Sequence, residues 1–464
     1  MAFDRNLFVF ASTLGLIATS AAAGDRPTDV ELGRQLFEKS WLRLPADDSP
    51  LAIAEGGDGL GPLFNGASCV ECHRLGGSGG AGPNEHNVDV VSVVVPLGAD
   101  EKTRSKLLQR AAAFHPAFRQ RSDVVLHRFG FDEEGEFVDY ESFRSEILAR
   151  FPELPSPATA TQIETPNGVP LQLAQRNTPA MFGDGVIDQV SVETLQALAA
   201  RQRAESPKQA GRPSLGGAGR FGWRAQVDSL ESFVRTACAE ECGLRVRSTG
   251  RMIIDQSMSP LEGRKSRPVR APVDLSDSQV DALVAFSASL PAPRPVPPED
   301  LSTAAKADAG RQLFGEIGCA VCHVEHVGPA RHIYSDLLLH DMGPVLADRV
   351  KAPEAGTEIT QFSDRVIGSV SYYGPPRTLT KTFVDPPSLN DVETTAREWK
   401  TPPLWGVADS APYLHDGRAP TLDEAIREHG GQGTESAVEY VALTDQSRSE
   451  LMTFLGTLQS PQVD

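Results

Sequence analysis

Two short segments of the chain carry the same arrangement of two cysteines followed by a histidine. They are Cys69-Val70-Glu71-Cys72-His73 and Cys319-Ala320-Val321-Cys322-His323. Two thiols one helical turn apart can add to the two vinyl groups of a haem, and the next residue then places its imidazole under the iron. The segments therefore predict two covalently bound haem c groups, with His73 and His323 as proximal ligands.

Zinc binding and dithiol redox chemistry are the alternatives, because C-x-x-C alone serves both. A zinc site does not require a histidine directly after each cysteine pair, and a redox motif belongs in a βαβ setting that this sequence lacks. Each motif also follows the same five residues, Gly33-Arg34-Gln35-Leu36-Phe37 and Gly310-Arg311-Gln312-Leu313-Phe314. The repeat favours haem attachment and indicates two cytochrome units.

Helices are predicted at both ends of each unit. Leu32, Leu36 and Phe37 share one helical face in the first copy of the repeat. Apolar helical stripes precede Pro291 and Pro461. The expected N-caps of these later helices are Ser276 or Asp277 and Asp445 or Ser447.

The fold class predicted from these signals is mainly α, with two cytochrome c-like domains. A stiff proline-rich linker at 292–300 separates a first domain, 24–291, from a second, 301–464. The first is longer than a cytochrome core needs, so residues from about 87 to 175 are interpreted as an insertion. β-Branched residues predict strands in it at Val88 to Val95 and Val124 to Phe131.

The N-terminal segment and the net charge indicate where the protein is located and which partners it has. A short apolar run behind Arg5, followed by small residues, predicts a signal peptide at 1–23 and export to the periplasm. The run is shorter than the roughly 20 residues that span a bilayer, so no membrane insertion is expected after cleavage. A net charge of −18 argues against nucleic acid as a partner and favours a small, basic or neutral redox protein.

The function of each haem depends on the face of the iron opposite its proximal histidine. A second protein ligand makes an electron-transfer haem, whereas an open face beside an acid or base suits peroxide or oxygen chemistry. His86 is the one close candidate after the first motif. Spacing does not choose among the later candidates, which are His326, His332, His340, Met342, His415 and His429.

Cys238 and Cys242 are the cysteines left over from the two motifs. They lie four residues apart on a predicted helix, where a disulfide would strain against its required dihedral angle. Buried thiols are expected, with a strained redox-active pair as the alternative.

Several further segments resemble one family. The chain is similar to the di-haem oxidoreductases, described as peroxidases or thiol oxidoreductases, within the wider group of bacterial di-haem cytochrome c peroxidases and MauG-like proteins. The resemblance rests on Gly61-Pro62-Leu63-Phe64-Asn65, Arg176-Asn177-Thr178-Pro179, Gly219-Arg220-Phe221-Gly222-Trp223, Tyr334-Ser335-Asp336-Leu337-Leu338-Leu339-His340-Asp341-Met342-Gly343 and Pro412-Tyr413-Leu414-His415-Asp416-Gly417.

The resemblance implies a second ligand for the C-terminal haem. In this group that ligand comes from a helix after a Thr-Leu-x-Glu-Ala stretch, which Thr421-Leu422-Asp423-Glu424-Ala425 matches. His429 stands where the peroxidases have methionine and MauG has tyrosine. Bis-histidine ligation by His323 and His429 is thus expected, with Met342 as the runner-up.

The resemblance also implies catalytic residues near the N-terminal haem. Trp223 resembles a tryptophan that lies between the two haems of the peroxidases. Glu241-Cys242-Gly243 resembles a Glu-Met-Gly motif whose glutamate acts as acid and base on peroxide, with Glu240 as the neighbouring alternative.

Two other features of the peroxidases transfer only in part. Asn177, Ser410 and Pro412 match positions that hold a calcium ion between the peroxidase domains. The segment between His73 and Asn177 is far longer than in the peroxidases, so the distal histidine of their N-terminal haem has no counterpart. That face is then open, or His86 fills it.

The sequence therefore predicts a periplasmic di-haem peroxidase-like oxidoreductase. The C-terminal haem would receive electrons from a small redox protein, and the N-terminal haem would reduce peroxide or another small oxidant. A non-catalytic di-haem electron carrier and a thiol or protein side-chain oxidase are the alternative functions.

Overall fold

The computed structural model describes residues 28–42, 49–54, 57, 59–60, 63–93, 100–114, 118, 123–131, 137–139, 161–164, 167–214, 219–247, 253–254, 273–348 and 397–461. The predicted signal peptide, 1–23, lies outside these residues. No helix among them is both long enough and apolar enough to cross a lipid bilayer.

The described chain is mainly helical and carries several small antiparallel sheets, as predicted. The helices are α1 (Asp29–Glu38), α2 (Cys69–Cys72), α3 (Glu101–Ala111), α4 (Asp184–Ile187), α5 (Val192–Glu205), α6 (Leu230–Glu241), α7 (Asp277–Ser289), α8 (Leu301–Glu316), α9 (Leu422–Arg427), α10 (Thr434–Ala442) and α11 (Asp445–Leu455). The strands are β1 (Leu63–Phe64), β2 (Val88–Val93), β3 (Asp123–Leu126), β4 (Phe129–Phe131), β5 (Phe137–Asp139), β6 (Thr161–Glu164), β7 (Pro170–Arg176), β8 (Val246–Arg247), β9 (Ile253–Ile254), β10 (His326–Val327), β11 (Ala330–Arg331), β12 (Leu339–Asp341) and β13 (Glu398–Lys400).

Each copy of the repeat lies within a helix that packs against a helix from the end of the same half. In the first half α1 crosses α7, and in the second half α8 crosses α11. The glycine of each repeat makes the crossing close. A Cβ at Gly33 would lie 1.9 Å from the carbonyl oxygen of Ala282, and one at Gly310 would lie 2.0 Å from that of Glu450.

Helix caps confirm one expected terminus and correct another. Ser276 caps α7 through a capping box with Gln279, as predicted. The prediction of Asp445 or Ser447 for α11 is wrong, because the side chain of Thr444 accepts from the backbone N–H of Ser447. Asp445 is instead the first residue of that helix.

The interpreted insertion contains β-structure, although its strands differ from those predicted. β2 ends at Val93 and pairs with β3 and β7 in a four-stranded sheet of order β3-β2-β7-β6. The strand expected over 124–131 is two strands, because the chain leaves this sheet after Leu126 and continues at Phe129 in a second sheet with β1 and β5. Residues 94–95 of the expected first strand lie outside the described part.

The apolar core is divided into clusters that follow the two halves only in part. The largest packs α1, α6 and α7 together, and a separate cluster packs α8 against α11. Residues of the second half also join the largest cluster: Val327, Ala330, Ile333, Leu337, Leu338 and Trp405. The two halves therefore share apolar contacts. In the predicted linker, the backbone N–H of Val296 donates to Thr457 O at 2.8 Å.

The close helix crossings predict that Gly33→Ala and Gly310→Ala each lower the free energy of unfolding. Each new methyl group meets backbone that cannot move alone, and overpacking of this kind costs about 1–3 kcal/mol. Gly315→Ala is the matched control within α8, since a Cβ there meets nothing within 4 Å. Urea unfolding that shows equal stability for all three variants would contradict the account of the repeat glycines.

Candidate functional site

The first C-x-x-C-H motif forms a single helical turn with its histidine directly after it. His73 follows α2, and its Nδ1–H donates to Gly80 O at 3.2 Å. Burial lowers the pKa of His73 to about 4, so the ring is neutral at physiological pH. A neutral imidazole whose Nδ1 is used in this way presents Nε2 as its metal-binding atom.

The second motif has the same arrangement. Cys319–Val321 form a 3₁₀ turn, and His323 Nδ1–H donates to Tyr334 O at 2.8 Å. Burial lowers the pKa of His323 to about 4 and raises that of Cys319 to about 12.

The repeat places equivalent aromatic rings beside both proximal histidines. The ring centre of Phe37 lies 6.1 Å from that of His73, and the ring centre of Phe314 lies 6.2 Å from that of His323. The last residue of each repeat therefore packs near the imidazole predicted to bind iron.

The structure places the ring of His429 near that of His323, and these are the two residues that the resemblance implies as ligands of one iron. Their ring centres are 6.5 Å apart, and His429 Nδ1–H donates to Ala425 O at 2.7 Å. A metal bonded at about 2.0–2.1 Å to one nitrogen of each ring would hold the ring centres roughly 6 Å apart. The spacing and the two backbone-bound Nδ1 atoms thus fit one iron between the two Nε2 atoms.

Both residues lie in the wall of the cavity around the second motif, which we call the C-terminal cavity. Its wall contains Cys319, Cys322, His323, His340, Met342, His415 and His429, among others. His340 is engaged elsewhere: its Nε2 lies 2.9 Å from Asp336 Oδ2, and its Nδ1 lies 3.5 Å from Cys322 Sγ. Met342 also lies in this wall: a Cβ at Gly433 would lie 3.3 Å from the Met342 Cε and 3.3 Å from Cδ2 of the His429 ring. Of the predicted ligands, His429 is the one that faces His323 with its Nδ1 tied to the backbone.

A second cavity, which we call the N-terminal cavity, surrounds the first motif. Its wall includes Glu241, together with Cys69, Cys72, His73 and Trp223. Glu241 Oε2 accepts from Asn65 Nδ2 at 2.7 Å, whereas Oε1 is out of solvent and has no hydrogen-bond partner in the described chain. Burial raises the pKa of Glu241 to about 8. An unpartnered buried oxygen of this kind is rare, and it suits a group that exchanges a proton with a bound molecule.

The neighbouring candidates lie elsewhere. The wall of this cavity, as far as the structure describes it, does not include Glu240, whose carbonyl accepts from His127 Nε2 at 2.8 Å. Nor does it include His86, a partly buried residue in the 3₁₀ turn Asn84–His86. Of the expected groups, Glu241 is thus the titratable residue beside the first motif.

Trp223 lies in the walls of both cavities. Its Nε1–H donates to Asn177 O at 2.8 Å, and its own carbonyl accepts from the backbone N–H of Lys400 at 2.9 Å. Trp223 therefore contributes to both cavities, and its place between two haems stays a prediction.

A buried ionic cluster next to Trp223 was not predicted. Asp348 accepts from Arg176 at 3.0 Å and from Arg224 at 2.8 Å, and these two cations hold its pKa well below the usual range despite burial. Trp399 stacks on His415, with their ring centres 3.6 Å apart. The Arg224 guanidinium lies 3.9 Å from the ring centre of Trp399. Asp348 stands apart from every motif, so no sequence signal linked it to the two arginines.

The predicted calcium residues all lie in the wall of the C-terminal cavity. The side-chain amide nitrogen of Asn177 donates hydrogen bonds to Gly82 O and to Asn87 Oδ1, each at 2.9 Å. Ser410 Oγ donates to Gly406 O at 2.6 Å, and Pro412 follows a cis peptide bond. Calcium binding by these residues stays a prediction.

Cys238 and Cys242 are free, buried thiols, as expected. Cys238 lies in α6, but the helix ends at Glu241, so Cys242 is its C-cap rather than a helical residue. Both residues lie in the wall of the N-terminal cavity.

Comparison with known proteins gave one family match and weak structural likenesses. Among solved structures, the chain is similar to Kuenenia stuttgartiensis hydrazine synthase pressurised with xenon, with 19% identity and a TM-score of 0.25 over 40% of this chain. It spans 57% of the length of that chain. A structure described as a MauG-like protein associated with microbial copper homeostasis gives 17% identity and a TM-score of 0.27, over 54% of this chain and 74% of the other.

No curated protein sequence matches the chain. Residues 386–458 match the family model described as "Di-haem oxidoreductase, putative peroxidase". The matched segment contains the Tyr413–Gly417 motif, the Thr421–Ala425 stretch and His429. Over this segment the resemblance to the di-haem oxidoreductases is therefore confirmed.

Proposed function

We propose that the chain is a periplasmic di-haem peroxidase-like oxidoreductase with one haem c covalently attached at each C-x-x-C-H motif. Two cytochrome c-like domains, 24–291 and 301–464, would each hold one haem, joined by the linker at 292–300. The unpartnered Oε1 of Glu241, buried in the cavity of the first motif, is the observation that carries the enzymatic function.

The two haems would have different tasks because their cavities offer different groups. His323 and His429 would bind the C-terminal iron from both faces, which suits a haem that passes electrons. His73 would bind the N-terminal iron from one face, and Glu241 lies in the wall of the same cavity. A haem bound there supplies the iron that exchanges electrons with peroxide.

Glu241 would move the proton that cleavage of the peroxide bond requires. Its carboxylate takes a proton from one oxygen of hydrogen peroxide and gives it to the other, which leaves as water when the O–O bond breaks. Two electrons from a small redox protein and two protons from solvent complete the reduction to two water molecules. Trp223, in the wall of both cavities, would mediate electron transfer between the two haems.

Bis-histidine ligation predicts that His429→Ala abolishes the low-spin ferric EPR signal of one haem. The change removes a ring 6.5 Å from His323, which leaves that iron without its second strong ligand. His326→Ala, which removes an exposed histidine of the same half, is the matched control. An unchanged low-spin signal in the His429 variant would show that the ligand is another residue.

The role of Glu241 predicts that Glu241→Gln lowers kcat/KM for hydrogen peroxide by about 10²–10⁴-fold, the usual contribution of a positioned acid or base. Glu193→Gln, at an exposed position in α5, should leave the rate unchanged. Retained haem content, measured by absorbance, separates lost chemistry from lost folding. A wild-type protein whose ferric haems are both low-spin and do not respond to peroxide would instead be an electron carrier.

The raised pKa of Glu241 also predicts the pH profile of that reaction. With a pKa near 8, the carboxyl is mostly protonated at pH 7, and the ionised form that accepts the peroxide proton becomes more abundant as the pH rises. The kcat/KM of the wild type should therefore increase with pH, reach half its maximum near pH 8 and level off above about pH 9. The same increase in Glu241→Gln would contradict the assignment.

A further inference from the structure

Lys400 occupies the boundary between the two cavities. It is the last residue of β13 and lies in the walls of both cavities, although only 9% of its surface is exposed to solvent. Its backbone N–H donates to Trp223 O at 2.9 Å. The position of Lys400 is thus fixed against the tryptophan that the two sites share.

The Lys400 ammonium has no ion pair and donates no hydrogen bond within the described chain. By contrast, the buried Arg224 is paired with Asp348 at 2.8 Å. Burial lowers the pKa of Lys400 to about 8, because the loss of water outweighs the attraction of the Asp184 and Asp336 carboxyl groups. A buried cation without an ion pair is strongly destabilised, so this position calls for an anion.

Asp184 does not supply that anion directly. It begins α4 in the wall of the N-terminal cavity and is 8% exposed, but it is not within ion-pair distance of Lys400. Burial raises the pKa of Asp184 to about 8, which favours its neutral form. The ammonium is attracted most strongly by Asp184, which lies in the wall of the first motif's cavity and not in that of the second, and this favours the first cavity as the place of the missing anion.

We propose that Lys400 pairs with a propionate carboxylate of the haem attached at Cys69 and Cys72, and that this pair raises the midpoint potential of that haem. Haem carries two propionates, which are anions of the kind that a buried ammonium requires. Reduction of the iron adds one electron, so a cation held beside the haem favours the reduced form. Lys400 would therefore help to draw electrons toward the site that holds Glu241.

The inference rests on the proposed function in one respect, namely that a haem is attached at the first motif. It does not depend on whether the protein reduces peroxide. Lys400 is a positioning residue in this account, since it acts on the haem through a carboxylate rather than on the reacting molecule.

The test is a potentiometric titration of the purified holoprotein in the absence of peroxide, with each haem followed by its own absorbance and EPR signal. Lys400→Met should lower the reduction equilibrium constant of the N-terminal haem about tenfold, equivalent to about 59 mV for a one-electron couple. Lys400→Arg keeps the charge and should restore most of the potential. Lys306→Met, which removes an exposed lysine of α8, is the matched control.

Lys400→Gln provides a second neutral variant if the methionine variant does not fold, and it should shift the potential in the same direction. Unchanged N-terminal potentials in the neutral variants would overturn the proposal, as would a shift confined to the C-terminal haem. If the variants show the predicted shifts in potential but the wild type does not turn over peroxide, the proposed enzymatic function is refuted and the role of Lys400 stands. A mass showing no haem at Cys69 and Cys72 would refute both.

Discussion

The hydrogen bonds from three histidine Nδ1 atoms to backbone carbonyls are the interactions on which the two sites depend. His73, His323 and His429 each donate in this way, to Gly80, Tyr334 and Ala425. Each bond fixes the tautomer and the orientation of its ring, so that Nε2 is the atom left for a metal. Because burial keeps all three rings neutral, none has to lose a proton before it binds iron.

The carbonyls that accept these bonds are held by the fold. Tyr334 follows the β10–β11 hairpin and packs in the cluster of α8 and α11, whereas its neighbour Ile333 packs in the largest cluster. Ala425 O belongs to α9. The repeat helices add the second constraint, since the close crossings at Gly33 and Gly310 set Phe37 and Phe314 near the two proximal imidazoles. Backbone packing at the two helix crossings thereby helps to orient the side chains inside the cavities.

The sequence predicted the elements whose signals are local. The attachment motifs, the repeat helices and the Ser276 cap depend on residues a few positions apart, and the structure has the predicted helices and that cap. His429 could be selected only through the resemblance, because nothing in spacing alone separates it from His340 or His415. Contacts between distant residues gave no such signal: Asp348 meets Arg176 and Arg224, and Lys400 reaches Trp223, only after the chain has folded. The split of 124–131 into two strands has the same origin, since a run of β-branched residues does not reveal which sheet each part will join.

The central claim is that the two iron sites are unequal, one held by two histidines and one with an open face beside Glu241. Mössbauer spectroscopy of the ferric protein, enriched in ⁵⁷Fe, tests it most directly because every iron contributes to the spectrum. The account predicts two components of equal area, one low-spin and one high-spin. Two low-spin components would contradict it and would leave the first site without an open face for peroxide.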